Sequence, residues 1–181
     1  MDRSLKSLMA ELELYIEKNW TGPEEMDRIS EETSADYTEE ASSEEETQKG
    51  GLPSGGPDPA ASLEALIRDV GKSFHETLFD LIRESGMTDV EVYKRANMDR
   101  RFFSKIRSNP AYHPRKSTVL ALAIALKLDL RQTSDLLSRA EYALSPGSKS
   151  DVIIRFFIER QIYDIDTINI ALYDHHLPIL D

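Results

Sequence analysis

The chain has 181 residues, 40% of them hydrophobic, which suffices for one ordinary domain with tails but not for two large cores. It contains no cysteine, which excludes disulfide frameworks, thiolate zinc sites and cysteine nucleophiles and fits a reducing, cytoplasmic setting. The net charge of -11 argues against nucleic acid until its distribution is read: residues 1–59 hold sixteen acids and five bases, whereas residues 60–181 hold seventeen of each.

In chain order, Leu5, Leu8, Leu12, Tyr15 and Ile16 recur at three- and four-residue steps. They predict a short amphipathic helix over residues 1–20, isolated from the rest and stopped by Gly22-Pro23. Acids fall among its apolar positions, so it lacks the core of a secretory signal, and no membrane association is expected. Residues 21–60 are dominated by Glu, Ser, Thr, Gly and Pro and read as a disordered acidic linker. Residues 61–181 read as one all-α domain, because nothing alternates long enough to form a strand.

In that domain a helix from Leu63 to Ser85 carries Phe74, Leu78, Leu81 and Ile82 on one face, with a possible break at Gly71 and a stop at Gly86. Thr88 with Glu91 three residues later is a capping box and opens the second helix. Asp99 is a good N-cap for the third, which runs to Ser108 before Asn109-Pro110 ends it. The fourth, Ser117 to Leu128, is apolar on every side, which a surface helix does not tolerate. A fifth spans Arg131 to Ala143. Two more, Asp151 to Ile162 and Asp164 to His176, are expected to cover the second side of the fourth.

Between Thr88 and Lys127 there are nine bases against three acids, a local excess of +6 that suits phosphate binding. A short second helix, a tight turn and a basic third helix is the spacing that lays one helix across the DNA backbone and the next in the major groove. Residues 78–137 resemble the lambda-repressor-like (Cro-type, XRE) helix-turn-helix family. The likeness rests on Thr88, Met98 in the turn, Phe103 and Ile106 in the third helix, Pro114, and the run LALAIAL. Asn97 stands in the place of the turn glycine, and Tyr93 and Ala96 exchange the usual small and large residues of the second helix. The stretch from Asp89 onward is also similar to helix-turn-helix modules that sit beside bacterial macrodomains, a likeness that points to protein partners rather than operators.

The first resemblance implies a five-helix DNA-binding domain with two extra C-terminal helices and Asp99 to Ser108 as recognition helix. It puts Arg100, Arg101 and Lys105 at groove-reading positions, where Arg suits guanine and Lys suits guanine or phosphate. Phe102 occupies a position that is polar in the family; contact with a thymine methyl, packing on a protein and inward rotation all stay open. Arg107 is a further candidate contact, and Tyr112, Arg115 and Lys116, with His113, form a loop suited to phosphates. The expected partner is double-stranded DNA bound by a homodimer. The alternative is a protein-interaction adaptor docking through Phe102, the N-terminal helix or the C-terminal helices.

His75, His113, His175 and His176 show no metal-ligand spacing, and no phosphate loop or nucleophile setting is present. The sequence therefore predicts no metal, no cofactor and no enzyme activity.

Overall fold

Every helix start after Gly71 except that of the Lys116–Ala125 helix is capped by a side chain. The computed structural model describes residues 3–22 and 71–180, so the expected linker and the leader after Leu63 lie almost entirely outside it. Among the described residues there are eight helices and no strand: α1 (Arg3–Asn19), α2 (Phe74–Ser85), α3 (Asp89–Arg95), α4 (Arg100–Ser108), α5 (Lys116–Ala125), α6 (Leu130–Arg139), α7 (Lys149–Glu159) and α8 (Ile165–Asp174). Capping boxes open α2 (Ser73 with Glu76), α3 (Thr88 with Glu91) and α6 (Asp129 with Gln132). The cap amides and hydroxyls of Ser73 and Thr88 hold the Glu76 and Glu91 carboxyls below the usual carboxylate range.

The helix ends at Ser85 and Ser108 fall where expected, and the four later ends differ for a single reason. Asn97, Lys127, Glu141, Gln161 and His176 all have φ between 52° and 61°. After each comes an apolar residue (Met98, Leu128, Tyr142, Ile162 and Leu177) whose amide bonds back to a carbonyl five residues earlier, as in Met98 N to Tyr93 O at 2.9 Å. The residue before it bonds three back, so all five ends are Schellman motifs. Only Asn97 shows this in its residue type. At the other four ends the left-handed position is filled by Lys, Glu, Gln or His rather than Gly or Asn, and the regular helix stops two to four residues before the end that the hydrophobic periodicity suggests.

The core centres on α5, in which every residue from Thr118 to Ala125 is buried. α3, α6 and α8 pack around it, while α7 packs on α6, α8 and α1. The expectation that the C-terminal pair covers α5 is thus met directly by α8. α7 extends this same core, with Phe156, Phe157 and Ile153 fully enclosed.

The N-terminal helix is not isolated, contrary to expectation. It belongs to the same compact unit as the helices after Lys72 and buries Leu12 and Ile16 completely or nearly so. A lone helix of this length is marginal in water, and its apolar stripe gains stability by closing over α7. Tyr15 meets Phe156 edge to face with ring centroids 5.2 Å apart and donates to Glu159 Oε2 at 2.8 Å. Arg160 binds Glu11 at 2.5 Å, Trp20 Nε1 donates to Gly147 O at 3.3 Å, and Thr21 N donates to Pro146 O at 3.0 Å. No described helix is long and apolar enough to cross a membrane.

Candidate functional site

The surface built by α4 and the loop after it holds most of the expected site residues. Asp99 Oδ1 accepts from Arg101 N at 2.7 Å and fixes the first turn of α4. Phe103 and Ile106 are buried, which turns Arg101 and Lys105 to the opposite side and sets Phe102 on one flank and Arg100 and Arg107 on the other.

The flank bearing Arg107 is tied to the body. Its Nη1 reaches both oxygens of Asp89, at 2.5 and 2.6 Å, and its guanidinium lies 4.9 Å from the ring centre of Phe79. His75 Nε2 sits 3.0 Å from the Arg107 carbonyl. Lys116 is likewise turned inward, its Nζ 2.5 Å from Asp151 Oδ2, an oxygen that also accepts from Ser145 N at 2.9 Å. These two cations are committed within the fold, so the basic excess counted along the sequence overstates the charge offered outward.

Arg100, Arg101 and Arg115 are exposed and make no ion pair among the described residues; nor does Lys105. Lys105 places its Nζ 4.7 Å above the ring of Tyr112, which it meets as a cation over a π face. Phe102 is half-buried and stands at 86° to Tyr112 with centroids 6.0 Å apart. Phe102 is therefore turned partly inward, against Tyr112, in one aromatic corner. The loop is held by Tyr112 N donating to Asn109 O at 2.9 Å and by Tyr142 OH donating to Pro114 O at 3.3 Å. His113 lies against Tyr142, with ring centroids 5.4 Å apart.

Beside this corner is an open cleft of about 400 Å³. Phe102, Tyr112 and Arg115 line it, together with Asn97, Met98 and Asp99 of the α3–α4 turn and Thr118 of α5. The structure thus brings Phe102, Lys105, Tyr112 and Arg115 together, leaves Arg100 and Arg101 exposed on the first turn of α4, and separates Arg107 and Lys116 from them. Sequence reasoning did not find Thr118. Its one signal was the absence of any Ser, Thr, Asp or Asn at position 115, where α5 needs a cap. Among the described residues no three of His, Asp and Glu cluster to hold a metal ion.

The chain matches no protein-family model, no curated protein and no solved structure. The functional reading therefore rests on the residues themselves.

Proposed function

We propose that the chain is a DNA-binding regulator that presents α4 to the major groove of a duplex. The observation that carries this reading is the set of outward cations on and beside α4, namely Arg100, Arg101, Lys105 and Arg115, none paired within the described fold. A short α3, the left-handed turn at Asn97 and a basic α4 support the reading, in which they act as a helix-turn-helix unit of the lambda-repressor type. Arg100 and Arg101 are the base readers in this scheme, while Lys105 and Arg115 hold phosphate. One recognition helix spans too few base pairs for much selectivity, so the active form is a homodimer on a two-fold site.

The deciding experiment selects a duplex from a random pool with the full chain and measures its affinity over a range of salt. A steep loss of affinity with salt, and loss of preference in Arg100→Ala/Arg101→Ala, support the reading. A salt-insensitive interaction with a protein, and no preferred duplex, replace it with the adaptor reading. One observation favours that second reading: three of the five large apolar side chains exposed in the described structure, Ile170, Tyr173 and Ile179, fall near the C-terminus.

A further inference from the structure

The cleft beside α4 is formed where the start of α5 meets the α3–α4 turn. The hydrogen-bond ladder of α5 begins with Val119 N donating to Arg115 O at 3.1 Å, and Arg115 provides no side-chain cap. The amides of Lys116, Ser117 and Thr118 are thereby left without an acceptor among the described residues, at the positive end of the helix. Thr118 is only 3% exposed, lines the cleft, and its hydroxyl has no hydrogen-bond partner among the described residues. The Thr118 amide and hydroxyl, with Arg115 beside them in the lining, form a setting for one anionic group. Lys116, adjacent in sequence, does not neutralise that group, because Asp151 holds it.

The rest of the cleft is not what a bare anion needs. Phe102 and Tyr112 form an aromatic corner, and Lys105 already covers one side of Tyr112. A planar ring enters such a corner by stacking on one side chain and meeting the edge of the other. The lining also includes the Asn97 amide and the Asp99 carboxylate, a donor–acceptor pair and an acceptor for a ring edge bearing an amino group. Asp99 also disfavours a second anionic group beside it. The volume, about 400 Å³, falls in the roughly 300–1,000 Å³ range of small-ligand sites.

We propose that this cleft is a binding site for a purine mononucleotide, with its phosphate on Arg115 and Thr118 and its base against Phe102 and Tyr112. This goes beyond the DNA-binding reading and does not rest on it, since the site is complete within one chain.

Calorimetric titration of the full chain with adenosine 5′-monophosphate, adenosine and inorganic phosphate tests the proposal. The mononucleotide is expected to bind about tenfold or more tightly than either fragment, because it engages both halves of the cleft. Arg115→Ala, at an exposed position, should weaken it by about tenfold with the melting temperature unchanged, and Thr118→Val by a few-fold. Phe102→Ala should weaken the mononucleotide while leaving inorganic phosphate as it was. Phosphate binding as tightly as the mononucleotide overturns the proposal, as does an affinity indifferent to Arg115→Ala, or no heat of binding from the mononucleotide up to millimolar concentration.

Discussion

The Nζ of Lys116 lies 2.5 Å from Oδ2 of Asp151, whose side chain is 3% exposed against 30% for the lysine. The pair joins the start of α5 to the start of α7, and through the Ser145 amide on the same oxygen it anchors the loop that receives Trp20 and Thr21 of α1. A charge so placed is structural. Lys116→Met should leave the Asp151 carboxylate buried without its cation, a loss of at most the ~3–5 kcal/mol typical of fully buried pairs because the lysine is partly solvated. Chemical denaturation of Lys116→Met, Asp151→Asn and the double variant measures it. Additive losses in the cycle would show that the two side chains do not interact.

Arg107 and Arg101 provide a contrast on one helix. Arg107→Ala should lower stability by ~1 kcal/mol by removing the Asp89 pair and the packing on Phe79, with little change in the salt dependence of duplex binding. Arg100→Ala/Arg101→Ala should leave the melting temperature in place and remove ~1–3 kcal/mol of discrimination at each base that the arginines read. Parallel thermal melts and anisotropy titrations of both variants check the assignment, and the reverse pattern would exchange the two roles.

The docking of α1 should be measurable as stability. Leu12 is fully enclosed, and Leu12→Ala should cost ~2–5 kcal/mol. Phe157→Ala, in the part of the core that α7 supplies, should cost ~3–5 kcal/mol. If Leu12→Ala unfolds at the same denaturant concentration as the parent chain, α1 does not contribute to the folded state in solution.

The packing of α1 on α7 also sets an alkaline limit. Burial, with help from the hydrogen bond and the charge of Glu159, pushes the Tyr15 phenol up to about 12. A pKa raised on folding means that the neutral phenol is favoured in the folded state. Its stabilisation is therefore complete below the ordinary value of 10.0 and disappears as pH rises from there to about 12. Unfolding curves of Tyr15→Phe should lose this part of the decline between those limits. An unchanged alkaline profile would place the titration elsewhere.

At the acidic side, His175 behaves in the opposite sense. Burial and the nearby Lys149 ammonium, with a smaller push from His176, outweigh Glu13 and Asp174 and hold its imidazole below the ordinary 6.5. The carboxylate of Glu13, 3.5 Å from Nε2, favours the imidazolium but does not win. A histidine depressed on folding contributes stability that is present above 6.5 and lost as pH falls through its folded value. His175→Gln should flatten the decline in melting temperature on acidification from neutrality. A decline as steep as that of the parent would remove His175 from the account.

What the sequence determined by itself was local. The all-helical class follows from periodicity, and the openings of α3 and α4 from Thr88, Glu91 and Asp99, because a cap is settled by atoms within three residues of one another. The left-handed turn at Asn97 was legible for the same reason, since asparagine tolerates positive φ. The ends at Lys127, Glu141, Gln161 and His176 were not legible, because they depend on packing the apolar residue that follows against the core, fully at Leu128 and partly at Tyr142, Ile162 and Leu177. The fate of the cations also needed the tertiary structure. Arg107 finds its acid 18 residues away and Lys116 finds its own 35 residues away, so a count of bases along the chain cannot tell a spent charge from a free one. The docking of α1 lay furthest out of reach, for Tyr15 and Glu159 are 144 residues apart and only folding sets the stripe of one helix against the apolar face of the other.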